Sequence, residues 1–265
     1  MSQSTGRTPL LSAQGVQRRF GAVVAADNVC IDVAAGENLA LIGSNGAGKT
    51  TFANMVTGYV KPDAGSIQLA GTDITKKHPR EITRLGVARS FQIPQIWPQL
   101  TVLEHLLVAA NCSSGKMPLL GSPATSVHLA LSMDILSRFG LASQAKRQVV
   151  ELPGGMRKLL DIAMALTTQP QLLVLDEPTS GVAAQEKFPM MDTIMQAIAG
   201  APVAVMFIEH DMDIVERYAK RVIAFYSGRV IADGLPGQVL GNAEVQRYVT
   251  GSSGHGRHAA AQQTA

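Results

Sequence analysis

Gly43, Gly46 and Gly48, followed by Lys49, Thr50 and Thr51, place residues without side chains next to a cation and two hydroxyls within one short segment, GSNGAGKTT. That spacing is the G-x-x-x-x-G-K-[ST] pattern of a loop that wraps bare backbone around a polyphosphate and aims N–H groups at its oxygens, where side chains would obstruct. Gly43, Ser44, Asn45, Gly46, Ala47 and Gly48 form the cradle; Lys49 is expected to reach the β and γ phosphates, Thr50 to ligate Mg²⁺, and Thr51 to add a donor. ENLALIG ahead of the loop spells a short buried strand. Behind it, Phe52, Met55, Val56 and Tyr59 follow helical spacing, so the loop is expected to open a helix whose dipole favours an anion.

Further along, Leu172 to Leu175 form an apolar run that delivers Asp176 and Glu177 to the carboxyl end of a strand. Asp176 there would hold Mg²⁺, and Glu177 would orient a water and take its proton. Gln92, after a strand-like run in RSFQIPQIWP, offers a neutral amide to metal and water. His210 ends VAVMFIEH and brings an imidazole to the same sheet edge, within range of a γ phosphate.

The elements that must position these groups follow from pattern. Runs such as VVAADNVCIDVAAGE and KPDAGSIQLAG suggest an antiparallel sheet beside the nucleotide core, with Ile67 and Leu69 alternating with polar neighbours. Two continuously apolar strands, each followed by a helix, imply a mainly parallel sheet. Ahead of both strands lies a helical insert, about 97–165. TVLEHLLVAA begins it, with Thr101 and Glu104 in capping-box register and Leu103, Leu106, Leu107 and Ala110 on one face. A Gly/Ser/Pro-rich connection leads to a second helix, about Val127 to Phe139, ended by Gly140, and a hairpin is expected around Ser227 and Gly228.

The 265 residues suffice for one large α/β domain, and a net charge of +3 with scattered basic residues argues against nucleic acid as a partner. Cys30 and Cys112 have neither metal spacing nor disulfide density, and MSQSTGRTPL lacks an apolar signal core, so a cytoplasmic location is expected. Residues 1–8 and 251–265 are expected to be disordered, with His255 and His258 read as part of a solvated tail, leaving 9–250 as the folded unit.

Taken in order, these pieces resemble the ATP-binding subunits of ABC transporters over about Leu10 to Gly251. In that family GSNGAGKT is Walker A, Gln92 the Q-loop, LLVLDEP Walker B, TSGVAA the D-loop and His210 the switch histidine. Phe20 matches the aromatic that stacks on adenine. Leu152, Pro153, Gly154, Gly155 and Met156 stand where the family has the Leu-Ser-Gly-Gly-Gln signature, which grips the ATP of the opposite subunit. The resemblance implies an α/β P-loop NTPase fold with antiparallel β and helical subdomains, ATP and Mg²⁺ as cofactors, and ATP hydrolysis coupled to transport. RRFGAVVAADNV, GVARSFQIPQIWPQLTVLEHLLVAA and IEHDMDIVERYAKRV resemble the LivG-like branch serving branched-chain amino-acid importers, which also includes relatives for urea and other small solutes.

The partners so implied are a second ATPase subunit, two membrane permeases and, indirectly, a periplasmic solute-binding protein, with this chain peripheral on the inner face of the membrane. Pro153 lacks the hydroxyl and N–H of the family's Ser, and Ala183 replaces a polar D-loop residue, whereas Walker A and B, Gln92 and His210 are spelled normally. That asymmetry favours a heterodimer with one normal and one weak site. Ile93 to Pro98, including Trp97, is the surface expected to touch the permeases. Two alternatives stay open: a soluble ABC ATPase outside transport, which usually has paired cores or a long insert, and a regulatory subunit that closes on ATP without hydrolysis, against which Glu177 speaks.

Overall fold

The computed structural model describes residues 8–113 and 126–251. The expectations for the two termini, including His255 and His258, and for most of the connection after Asn111 lie outside the described residues. In chain order come β1 (Leu11–Phe20), β2 (Val23–Val33), β3 (Asn38–Gly43), α1 (Lys49–Val56), β4 (Ala64–Leu69) and β5 (Thr72–Asp73). Next are α2 (Pro79–Arg84), β6 (Val87–Ser90), α3 (Val102–Ser113), α4 (Ser126–Arg138) and α5 (Gly154–Thr167). The remainder is β7 (Leu172–Asp176), α6 (Ala184–Ile198), β8 (Ala204–Ile208), α7 (Met212–Tyr218), β9 (Arg221–Tyr226), β10 (Arg229–Gly234) and α8 (Pro236–Leu240), followed by short helical turns.

A six-stranded sheet has the order β10-β9-β3-β8-β7-β6, parallel except for β10. A four-stranded antiparallel sheet has the order β2-β1-β4-β5. Apart from Asn38 at the start of β3 and Asp176 at the end of β7, the central strands β3, β7 and β8 are apolar because both faces are covered. Leu39, Leu41, Leu172 and Val174 face a core shared with α1 and the antiparallel sheet, while Ala40, Ile42, Leu173 and Leu175 face the core made with α3 to α6.

The expected hairpin is present: Ser227 (φ 47°) and Gly228 (φ 79°) are both left-handed, as a two-residue turn matched to strand twist requires. The capping box of α3 also forms, with the Thr101 amide donating to Glu104 Oε2 (2.7 Å) and the Glu104 amide to Thr101 Oγ1 (3.3 Å). Two expectations need correction. Tyr59 is not on α1, which ends at Val56; Gly58 (φ 78°) turns the chain where a Cβ would lie 2.7 Å from Ile82, and Tyr59 is exposed. The buried face of α3 is Val102, His105, Leu106 and Ala110, with Leu103 and Leu107 only partly covered. β1 escapes an alternation search because Gly15 (φ 61°) accompanies a register shift between Ala13 and Val16, which breaks the period of two. Among the described residues no helix is long and apolar enough to cross a membrane.

Candidate functional site

The loop after β3 can only be built with glycine at two positions. A Cβ on Gly43 would stand 2.5 Å from the Phe225 carbonyl oxygen and one on Gly48 2.3 Å from that of Ala25, both at positive φ. Gly46 instead opens into free space. Gly48 caps α1 without any side-chain acceptor, leaving the first-turn amides directed at the loop. Lys49 is buried and folded back, donating to the carbonyls of Gly43 (2.6 Å) and Ser44 (3.0 Å). Burial pulls its ammonium below the usual lysine range, against the opposing fields of Glu177 and Asp176. Residues 45–51, Glu177 and His210 border a cavity of about 120 Å³.

Three side chains named from sequence meet at Glu177, of which Glu177 and His210 border the cavity and Gln92 does not. Gln92 Nε2 donates to Glu177 Oε2 (2.6 Å), and His210 Nε2 lies 3.0 Å from Glu177 Oε1. Topology explains the meeting, because β6, β7 and β8 are adjacent and parallel, with Ser90 opposite Leu175 and Asp176 opposite Ile208, so their carboxyl ends open on one edge. Glu177 has φ 48°, and its amide donates to the Ile208 carbonyl (3.0 Å). Buried Glu209, absent from the sequence reading, accepts from the Thr179 amide (3.0 Å) and hydroxyl (2.7 Å), pinning the turn beyond Glu177.

Three more residues were missed. Arg89 pairs with Asp176 at 2.6 Å with both side chains buried, and it also donates to Asn54 (2.6 Å) and Thr57 (3.2 Å). Lys158 and Asp161, on the buried face of α5, bind the segment around Gln92. The signal was available: a charge in a strand otherwise spelled for burial, and two charges three apart on an apolar helix face.

Other expected site residues lie elsewhere. Phe20 ends β1 about 45% exposed, with the Arg18 guanidinium 4.5 Å from its ring centroid, so a face is already covered. Leu152 is buried, Pro153 caps α5 with no side-chain bond, and Gly154, Gly155 and Met156 form the first turn. None of these borders the phosphate-loop cavity. For a divalent cation, Thr50, Gln92 and Asp176 would offer a hydroxyl, an amide oxygen and a carboxylate, although of the three only Thr50 borders the cavity. This hard, sparse oxygen set suits Mg²⁺ that keeps water and phosphate ligands. Among the described residues no group of three or more His, Cys, Asp or Glu could hold a metal by itself.

The segment from Ile93 to Pro98 leaves Ile93 (74%) and Trp97 (50%) exposed but is anchored beneath. The Trp97 amide donates to Nε2 of fully buried His105 (2.9 Å), whose Nδ1 therefore carries the proton toward the Thr101 carbonyl (2.8 Å). Burial lowers the His105 pKa from 6.5, against weaker raising effects from Thr101 and Glu104. The neutral form is thus favoured by folding: its contribution is complete above 6.5 and is lost as pH falls through the lower folded value. Emission of Trp97, the sole tryptophan, should shift on acidification, at a pH below the ordinary histidine value of 6.5. In His105→Gln, which still accepts but does not titrate there, the shift should vanish; a flat wild-type profile would refute the anchor.

The chain matches the family model described as ABC transporter over residues 26–180. It is 36% identical over 252 residues to the high-affinity branched-chain amino acid transport ATP-binding protein LivG of Escherichia coli (strain K12), covering 92% of this chain and 99% of that protein. With BraF of Pseudomonas aeruginosa, of the same description, it shares 32% over 252 residues, 92% of this chain and 99% of that one. An ATP-binding cassette of an ABC transporter in its ADP conformation superposes with a TM-score of 0.82 at 32% identity, covering 91% of this chain and 98% of that one. A nucleotide-free cassette gives 0.80 at 32% identity, with 90% and 97% covered. Matched by the family model over more than half of its residues and similar to these proteins in sequence and backbone over about nine-tenths of its length, the chain belongs to the ABC transporter family as an ATP-binding subunit.

Proposed function

We propose that this subunit hydrolyses ATP with Mg²⁺ and energises import of branched-chain or related amino acids. The observation that carries the reading is Glu177 held by Gln92 at 2.6 Å and His210 at 3.0 Å on the rim of the phosphate-loop cavity. A carboxylate so placed accepts a proton as water attacks the γ phosphorus, while the bond to the bridging oxygen breaks and ADP departs. Lys49 and the first-turn amides of α1 offset charge on the phosphates. Thr50, Gln92 and Asp176 would hold Mg²⁺, which when bound neutralises the β and γ oxygens.

Pro153 at the cap of α5 leaves only Gly154, Gly155 and the helix dipole to face a nucleotide on a partner subunit. A lost charge-assisted hydrogen bond slows hydrolysis by about tenfold to a hundredfold. This supports a heterodimer whose normal site combines the Walker A of this chain with the partner's signature. The exposed Ile93 and Trp97 support permease contact from the inner membrane face, with a periplasmic binding protein upstream. The chemistry of the solute is taken from the relatives LivG and BraF.

In vesicles containing the permeases and both ATPase subunits, phosphate release should require Mg²⁺ and stop with EDTA, and leucine uptake should exceed urea uptake. No phosphate release would overturn the hydrolytic reading; equal or better urea uptake would overturn the solute class.

A further inference from the structure

Lys158 is buried at 3% exposure, and its three N–H donors meet three main-chain carbonyls: Phe91 (2.7 Å), Gln92 (2.9 Å) and Asp176 (3.4 Å). One turn on, Asp161 accepts from the Ser90 hydroxyl (2.6 Å) and the Gln95 amide (3.0 Å). Helix α5 therefore grips both ends of the segment after β6 and the tip of β7. Converging carbonyl dipoles repel one another, and a compact ammonium is the side chain that satisfies three of them at one point. The residues whose carbonyls it joins, Gln92 and Asp176, are two of the three proposed metal ligands; one lies just after β6 and the other ends β7.

We infer that Lys158 is a positioning residue for the metal: by holding the carbonyls of Gln92 and Asp176 together it sets the spacing of their side chains. It also ties α5, capped by Pro153, directly to the segment that carries Gln92 and to the end of β7. The inference rests on the reading of the chain as a Mg²⁺-dependent ATPase.

Mn²⁺ binding by the full chain with a non-hydrolysable ATP analogue, followed by electron paramagnetic resonance, tests it apart from turnover. Lys158→Met should weaken Mn²⁺ about tenfold, a loss typical of residues that orient metal ligands, and leave affinity for the analogue without metal within about threefold. Lys158→Arg, which keeps charge but spreads its donors, should fall between. In the assembled transporter kcat should drop about tenfold with KM for ATP nearly constant. Mn²⁺ affinity within twofold of wild type, or an equal loss of metal-free nucleotide affinity, would overturn the inference. If Lys158→Met does not fold, Lys158→Gln should still weaken Mn²⁺ at least about threefold, and unchanged Mn²⁺ affinity there is equally fatal. A wild-type complex that releases no phosphate, with Mn²⁺ still weakened by Lys158→Met, would sink the ATPase reading and leave the positioning role standing.

Discussion

Glu177→Gln in the assembled transporter will lower phosphate release about a thousandfold while ATP stays bound. The amide matches the carboxylate in shape, accepts from Gln92 through its oxygen and donates to His210 through its nitrogen, so the local hydrogen bonds at 2.6 Å and 3.0 Å can be kept. What disappears is the group able to take a proton from water, and general-base contributions run from about 10² to 10⁴. ATP affinity should stay within about threefold, because the cradle and Lys49 are untouched. The measurement is phosphate release beside retention of radiolabelled ATP. Survival of most of the activity would show that the productive site is the other one, formed by the partner's Walker A and the LPGGM segment of this chain.

Arg89→Met should be the most destabilising single change at the site, costing about 3 to 5 kcal/mol. Arg89 and Asp176 pair at 2.6 Å with side chains only 5% and 6% exposed, so deletion of the cation strands a buried carboxylate. Asn54 and Thr57 on and just beyond α1 lose a donor as well. For a chain of this size the midpoint of thermal unfolding should fall by roughly 10 °C. Adding Asp176→Asn should restore about half of the loss, since a neutral amide next to methionine carries no uncompensated charge. If the single variant loses under about 1 kcal/mol, or the double loses the sum of the two singles, the pair is not the support argued for here.

The parts legible in the sequence were those governed by local rules. Glycine spacing around Lys49, the apolar runs ending at Asp176 and Ile208, the capping box at Thr101 and the turn at Ser227 each depend on backbone geometry or on a period of a few residues. Gln92, Glu177 and His210 were nameable for the same reason, as polar residues at the ends of such runs. Arg89, Lys158, Asp161 and Glu209 were not, because their partners are remote: Arg89 meets Asp176, Ser90 meets Asp161, and Thr179 meets Glu209. A charge inside an apolar pattern signals a buried partner without saying which one.

By itself, then, the chain's sequence determined that a strand, a glycine cradle and a helix would bind phosphate, and that a carboxylate would stand at the end of a later strand. Only the tertiary structure decided how those groups serve one another. The order β6-β7-β8 brings Gln92, Glu177 and His210 to one edge, and the packing of α5 beneath that edge places Lys158 under the carbonyls of Gln92 and Asp176. The physical reason is that strand order and helix packing arise from burying whole faces of the sheet, which couples residues far apart in sequence, whereas spacing within a motif reports only the path of the local backbone.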